Sequence, residues 1–437
     1  MADGVPILKI CVLGLWHLGT VTAACLASAG HSVTGLDFDS ENIARLNEGI
    51  PPVSEPGLEN LLQNSLKEGK LSFTSDIQQA VNAIDVLWVA YDTPVGPGDR
   101  ADAGFVFERI ERVLPHLHSH VLVLISSQLP AGSTRLLEAK YKALGGSAAI
   151  TFACSPENLR LGKAISAFTQ PERVVVGIRN ESDRVLLERL FSAFTAHIEW
   201  MSVESAEMTK HALNAFLAAS VTFINEIAVL CEQNGADAKE VERGLKSEAR
   251  IGPKAYLSPG AAFAGGTLAR DVSFLVAIGE QRGVSTHLLR AVRASNDEHR
   301  QWARRKIASV LGGLSGRTVA VWGLTYKPGT DTLRRSSSVE LCEWLFDSGA
   351  RVQAHDPAIK ALPVESAARI ALSQSPLEAL KGASALVVAT EWPEYAAIGA
   401  AAIVSAMSVP VVLDAGRFLA GQLERNPAIQ YFTVGKS

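Results

Sequence analysis

Short apolar runs recur along this chain: Ile7 to Leu13, Ser32 to Leu36, Asp85 to Ala90, Val121 to Ile125, Arg317 to Gly323, Ala385 to Trp392 and Val411 to Asp414. Most have the length and the Val/Leu/Ile content of strands buried on both faces, and most run into turns of Gly, Asp, Ser, Thr or Pro. Helical stretches separate them, among them Thr20 to Ala29, Ala101 to Leu114 and Ser338 to Ser348. Strands alternating with helices predict α/β units built on parallel sheets, one in the first part of the chain and one in the last. The middle behaves differently. Ser202 to Asn234 contains no Gly or Pro, and Gly235 comes directly after it. This is the pattern of a single helix with a glycine stop, roughly 50 Å long at 1.5 Å per residue. The expected architecture is α/β: two parallel-sheet domains, residues 1–200 and 301–437, joined by a central helical domain, residues 201–300.

Most of the long helix is apolar, yet Glu207, Lys210, Asn214 and Asn225 fall on one stripe, at steps of three, four and eleven residues. Buried Lys and Asn are costly unless paired or used. Two readings stay open: a satisfied polar network between domains, or an active-site face on a spine that joins them.

Composition narrows the classes. A chain of 437 residues should hold two or three domains, and 47% hydrophobic with 20% charged residues allows sizeable cores. A formal net charge of -4 does not point to nucleic acid or to an acidic membrane surface. The N-terminal apolar run has no basic segment ahead of it and leads into a glycine turn, so it reads as a strand and not a signal peptide. No run is expected to span a bilayer, since the long helix carries Glu207, Lys210 and Glu226. Cys11, Cys25, Cys154, Cys231 and Cys342 form neither a metal spacing nor a disulfide framework, so a cytoplasmic setting is expected. His116, His118 and His120 lack carboxylate or thiolate support and read as a solvated connection; no metal site is expected.

The first apolar run ends at Gly14-Leu-Trp16-His-Leu18-Gly19 and opens a helix; the second ends in Asp37. This strand–turn–helix–strand–acid order is a Rossmann-like dinucleotide-binding arrangement. Gly14 permits the tight turn, Gly19 lets the helix approach the sheet, and the helix N-terminus faces the pyrophosphate. Asp37 is placed for the adenosine ribose hydroxyls, which favours NAD over NADP. Trp16 stands where a glycine should let the backbone approach the pyrophosphate, so a doubly wound domain with a closed crevice is the opposing reading. Later strands end at Thr93-Pro94 and Ser127-Gln128, at the carboxyl edge where ligands bind in such sheets.

Further motifs lie beyond these: Cys154-Ser-Pro-Glu157-Asn-Leu-Arg160-Leu-Gly162, Pro171-Glu-Arg173, Ala249-Arg250, Pro259-Gly260-Ala-Ala-Phe263-Ala-Gly265-Gly266-Thr267-Leu-Ala-Arg270-Asp271, and Leu324-Thr-Tyr-Lys327-Pro-Gly-Thr330-Asp331. With Asn47-Glu-Gly-Ile and Glu55-Pro-Gly-Leu they resemble, in order and spacing over nearly the whole chain, the nucleotide-sugar 6-dehydrogenase family typified by UDP-glucose and GDP-mannose dehydrogenases. The resemblance implies oxidation of a sugar C6 alcohol to a carboxylate with two NAD and one active site. It implies that Glu157 assists water in thioester hydrolysis and that Lys210, with Asn214 beside it, stabilises a developing alkoxide. Asp271 matches an aspartate that orders the catalytic water, and Arg250 an arginine that reaches the substrate of a neighbouring subunit. Lys327 matches a lysine that holds the nucleotide-sugar, and Arg334 an arginine at the cofactor–substrate junction. Substrate contacts are further expected from Arg160, Tyr256, Phe263, Gly266 and Arg417. On chemical grounds, alcohol oxidation needs a place for a proton and a fixed positive charge near the oxygen, which Lys210 and Asp271 could supply.

The chain departs from the family at the nucleophile. The family pattern is Gly-Gly-Ser-Cys-x-Pro-Lys-Asp; here Gly266 stands at Ser, Thr267 at Cys, Ala269 at Pro and Arg270 at Lys, and the alternative register puts Leu268 at Cys. A threonine hydroxyl is far less ionised than a thiol and leaves poorly, so a covalent thioester route is not expected. Cys154, two residues before Pro156, reads as a core cysteine. The expected activity is NAD-dependent C6 oxidation of a nucleotide-hexose without that route, possible end points being the aldehyde or the acid. The competing readings are a non-catalytic sugar-nucleotide-binding homologue and a dehydrogenase of another alcohol. A cleft between the outer domains is expected to hold NAD and the nucleotide-sugar, and the exposed apolar part of the long helix to make a homodimer or larger assembly. Ala361 to Leu377 shows little pattern, and Gly435 to Ser437 are expected to fray.

Overall fold

The computed structural model describes residues 7–94, 101–157, 159–264, 266–333 and 336–437. The chain forms two compact units, residues 1–212 and 213–437. The first is built on eight strands: β1 (Lys9–Leu13), β2 (Ser32–Leu36), β3 (Leu71–Thr74), β4 (Val86–Val89), β5 (Leu122–Ile125), β6 (Thr151–Cys154), β7 (Val174–Ile178) and β8 (Ile198–Ser202). Their order is β3-β2-β1-β4-β5-β6-β7-β8. Neighbours pair in parallel, except that β6 and β7 meet antiparallel at Cys154 and Gly177. From β3 to β6 this is the doubly wound order, and the chain reverses direction of progress between β1 and β4, where ligands bind in such sheets.

Both faces of this sheet are covered. Ile10, Val12, Val86, Trp88, Leu122 and Leu124 enter one core; Cys11, Leu13, Leu87, Val89, Val123 and Ile125 enter the other. That is why these strands read as unbroken apolar runs and not as alternation. The second unit repeats the plan with β9 (Thr318–Trp322), β10 (Arg351–His355), β11 (Ile370–Leu372), β12 (Ala385–Val388), β13 (Val411–Asp414) and β14 (Gln430–Phe432), in the order β11-β10-β9-β12-β13-β14. All its pairs are parallel.

Five helices carry or support the candidate site residues: α1 (His17–Ser28), α2 (Ser133–Ala143), α3 (Val203–Asn234), α4 (Thr267–Arg282) and α5 (Ser337–Asp347). Small residues let α1 sit close against its sheet, and a Cβ on Gly19 would lie 1.6 Å from the Gly14 carbonyl oxygen. α3 ends as expected: Gly235 takes φ +70°, and the Ala236 N–H closes on the Cys231 carbonyl at 3.1 Å. One expectation about α3 is corrected. By length and composition it is apolar enough to cross a membrane, with an 18-residue window of mean hydropathy 1.6 and at most two charged residues. Of that window 44% is buried inside the protein. Its polar side chains are hydrogen-bonded there, as Asn225 is to the Gly260 N–H. It is a partly buried core helix.

One unplaced stretch is filled, and one expectation fails. The unpatterned stretch 361–377 holds one four-residue helix, Val364–Ala367, and the start of another, Pro376–Ala379, flanking β11. The elements are too short to show a period. The C-terminus is tied down and not frayed. The Gly435 N–H donates to Glu232 at 2.9 Å, its carbonyl accepts from the Ala238 N–H at 2.8 Å, and Lys436 pairs with Glu424 at 2.5 Å. Any Cβ on Gly435 would lie 2.2 Å from that of Ala238, so only glycine fits the approach.

Candidate functional site

The turn after β1 is shaped by its glycines. Gly14 takes φ +94°, and its N–H donates to the Leu36 carbonyl at 2.9 Å. A Cβ there would meet the Tyr91 ring at 2.6 Å. Asp37 closes β2; one carboxylate oxygen accepts the Leu15 N–H at 2.7 Å and the other accepts the Phe38 N–H at 2.7 Å. The carboxylate is only half-buried, which leaves an edge for a ribose. Trp16 is 54% exposed at the N-cap of α1, so its indole is not packed into the interior. At the ends of the neighbouring strands, the Thr93 hydroxyl donates to the Gln128 carbonyl at 2.8 Å, with Pro94 next in the chain. The buried Ser127 hydroxyl has no protein partner. A glycine cradle, an accessible acid and an orphaned buried hydroxyl fit a dinucleotide.

Four residues expected in different roles share one pocket of the first unit. Ser127, Gln128, Glu157 and Lys210 line a cavity of about 20 Å³ together with Cys154, Glu207 and His211. That is room for a water or a small polar group. The Lys210 ammonium donates to the Glu157 backbone carbonyl at 2.5 Å, while the Glu157 carboxylate accepts the Leu159 N–H at 2.6 Å. A second, apolar cavity of about 70 Å³ shares Pro156 and Glu157 and is walled by Leu18, Trp88, Phe168 and Phe191. Arg160 lies exposed on the same loop.

Cys154 is buried, and burial together with the charge of Glu207 pushes its thiol well above the ordinary range. It stays protonated and is no thiolate nucleophile. Glu207 itself has a structural task. It accepts the Gly132 N–H at 2.5 Å and the Thr134 N–H and hydroxyl at 2.8 and 2.6 Å. It thereby caps α2, whose N-cap residue is a glycine without a side chain. Asn225 likewise accepts the Gly260 N–H at 3.0 Å. The polar stripe on α3 therefore divides: its ends hold loops and helix termini, and its middle holds Lys210 and Asn214.

In the second unit, Asp271 is fully buried on α4 and accepts a hydrogen bond from the Asn214 amide. Thr267 is exposed as the first residue of α4, one turn before Asp271, and Gly266 precedes it at φ +126°. Phe263 is pinned by Asn296, whose amide bonds both its N–H (3.0 Å) and its carbonyl (2.9 Å). The Arg250 side chain is 88% exposed, and Tyr256 is exposed as well. Lys327 is half-buried, and its carbonyl accepts from the Thr330 hydroxyl at 2.9 Å. Arg417 takes φ +59° and pairs with Asp237 at 2.6 Å. Burial pulls the Asp237 carboxyl up, but the Arg417 hydrogen bond and the Lys239 N–H outweigh it and hold it below its ordinary value. Arg334 lies outside the described residues. Among the described residues no group of His, Cys, Asp or Glu could hold a metal.

Several contributors escaped the sequence reading. The Glu55 carboxylate is buried and accepts the Gly162 and Ala164 N–H groups, both at 2.8 Å, and faces His17 at 3.0 Å, so it fastens the loop after Glu157 to α1. His211, one turn beyond Glu207, is buried against the Leu129 carbonyl at 3.0 Å. Asp92, just before Thr93-Pro94, accepts the Leu18 N–H at 2.9 Å. Strand-end position marks Asp92, and helical spacing from Glu207 marks His211; Glu55 stands in the Glu55-Pro-Gly-Leu motif, but nothing local marks its role.

Comparison with known proteins joins these observations. Three domain descriptions of the UDP-glucose/GDP-mannose dehydrogenase family match in order: the NAD binding domain at residues 8–195, the central domain at 204–298 and the UDP binding domain at 320–421. The chain is 35% identical over 422 residues to a UDP-glucose 6-dehydrogenase of Pseudomonas aeruginosa, covering 93% of each chain. It is 33% identical over 440 residues to one of Rhizobium meliloti, covering 98% of this chain and 100% of that one. Its fold is similar to a UDP-glucose dehydrogenase of Pyrobaculum islandicum, with a TM-score of 0.88 at 30% identity and full coverage of both chains. The glycine cradle after β1 and the second doubly wound sheet thus correspond to matched NAD-binding and UDP-binding domains, and the chain belongs to the UDP-glucose/GDP-mannose dehydrogenase family of NAD-dependent oxidoreductases.

Proposed function

We propose that this protein oxidises the C6 alcohol of a nucleotide-activated hexose with NAD, without a cysteine thioester. UDP-glucose is the first substrate to try, because it is named in the relatives from Pseudomonas aeruginosa and Rhizobium meliloti. The observation that carries the reading is the meeting of Glu157 and Lys210 with Ser127 and Gln128 in one pocket of the NAD-binding unit. When bound, NAD supplies the acceptor for the electron pair of the carbinol C–H bond. The residues of the chain do the rest. Gly14, Gly19 and Asp37 hold the dinucleotide, and Ser127 offers its unused hydroxyl to it. Lys210 places a positive charge at the substrate oxygen as negative charge develops there. Glu157 assists water against the aldehyde carbon, and Asp271, held by Asn214, is the residue we assign to ordering water. Lys327, Arg160 and Arg417 neutralise the diphosphate.

Thr267 stands where the family pattern has cysteine, so either water adds to the aldehyde, and the hydrate would need a second NAD to take the electron pair of its C–H bond, or the reaction stops there. Every cysteine is buried, which favours the same conclusion. We also propose a homodimer made by α3, whose Phe216, Phe223 and Leu230 are all at least half-exposed and recur every seven residues. Arg250 is exposed enough to reach a neighbouring subunit. A cytoplasmic setting agrees with the free thiols. The test is NADH formation from UDP-glucose by wild type, Lys210→Met and Cys154→Ser. The reading expects activity in wild type and Cys154→Ser and a loss of at least about 100-fold in Lys210→Met. Equal activity in wild type and Lys210→Met would remove the lysine from the chemistry.

A further inference from the structure

The first turn of α1 suits a pyrophosphate, since a helix start presents N–H groups that lack intrahelical partners and the positive end of the helix dipole. That turn already holds an anion. Trp16 at the N-cap makes no capping hydrogen bond with its side chain. The Asp92 carboxylate takes the role instead and accepts the Leu18 N–H at 2.9 Å. Asp92 comes from the turn after β4, and β4 is the neighbour of β1 across the point where the strand order reverses. It therefore lies in the crevice that a dinucleotide crosses in this fold. Asp92 is exposed, so leaving the amide would not bury its charge. Trp16, in the same turn, occupies the position where the backbone most closely approaches the pyrophosphate.

We infer that Asp92 is an internal competitor for the cofactor and sets NAD affinity. In the free protein its carboxylate stands where the pyrophosphate will be; NAD binding evicts it from Leu18, and its return helps expel the spent dinucleotide. The inference rests on the assignment of this turn to NAD. Carboxylate and pyrophosphate cannot share the Leu18 N–H, and at close range they repel. The carboxylate also replaces the missing N-cap, so a structural role has to be separated from the competing one.

Calorimetric NAD titrations of wild type, Asp92→Asn and Asp92→Ala at low and high salt, with melting curves without NAD, make that separation. Both variants should bind NAD about tenfold more tightly at low salt, about 1.4 kcal/mol. The advantage should shrink at high salt, since repulsion is screened. Asp92→Ala should melt earlier than wild type when free, with a larger upward shift on adding NAD. NAD affinity equal to or weaker than wild type in both variants would overturn the inference and leave Asp92 a cap. If neither wild type nor variants bind NAD, the assignment of the turn itself falls, and the inference with it.

Discussion

The two doubly wound sheets make the same turn twice and put it to different uses. After β1, Gly14 takes φ +94° and Asp37 at the end of β2 accepts the Leu15 N–H at 2.7 Å. After β9, Gly323 takes φ +91° and Asp356 at the end of β10 accepts the Leu324 N–H at 2.7 Å. Beyond that the turns part. Asp356 is buried and also accepts the Thr325 N–H at 2.9 Å, its hydroxyl at 3.0 Å and the Trp392 indole N–H at 3.1 Å. Asp37 is only half-buried; besides Leu15 it accepts the Phe38 and Asp39 N–H groups that follow it in the chain, at 2.7 and 3.2 Å. The helix starts differ as well. α5 is capped by Ser336, whose hydroxyl accepts the Ser338 N–H at 3.2 Å, whereas α1 borrows Asp92 from another strand. An acid at a strand end is thus better evidence of a ribose site when part of its carboxylate stays in solvent, as at Asp37, than when it is buried, as at Asp356. A helix start is evidence of an anion site only when its own residues do not already cap it.

The comparison can be broken most severely at its shared feature. Gly14→Ala and Gly323→Ala should each cost about 3 kcal/mol, from a left-handed backbone and a Cβ driven into Tyr91 or Thr390. Denaturant unfolding would read this, and equal stability in either variant would show that its turn relaxes. The acids should then separate. Asp356→Ala should cost about 3 kcal/mol by stranding several buried donors and leave NAD affinity unchanged. Asp37→Asn should cost about 1 kcal/mol and weaken NAD about tenfold. A loss of NAD binding in the Asp356 variant, measured by calorimetry, would reverse the assignment of the two turns.

A smaller effect concerns the second unit alone. The folded Asp237 carboxyl is held below its ordinary value, so its contribution is fully present above about pH 4 and is lost as pH falls through the lower folded value. The acid limb of stability should be shallower in Asp237→Asn, by less than about 1 kcal/mol for a partly exposed pair. Parallel acid limbs in wild type and variant would remove the pair from the balance. Smallest of all, Trp16→Ala should change stability by no more than about 0.5 kcal/mol, because the indole is largely in solvent. A larger loss on melting would mean that the indole packs against the protein.

Much of this was legible in the chain, for reasons that differ from place to place. The buried strands were readable because both faces are covered, which writes them as unbroken apolar runs such as Val121 to Ile125. The long helix was readable because it lacks Gly and Pro until Gly235. Within the site, Lys210 and Asn214 stood out as polar residues in an apolar helix. The same reasoning could not tell them from Glu207, since the capping of α2 depends on a contact 73 residues away in sequence. The role of Glu55 was hidden for the same reason, with partners 107 and 109 residues distant. β11 and its flanking helices were too short to show a period, and the tail carried no sign that Gly435 closes on Glu232 and Ala238.

The central claim is that a lysine-supported pocket in the NAD-binding unit oxidises a nucleotide-hexose without a thiol. The most direct measurement is the NADH yield per UDP-glucose consumed, with the native thiols first treated with iodoacetamide. The account predicts NADH formation undiminished by the treatment. Abolition of NADH formation on alkylation of a single cysteine would contradict it.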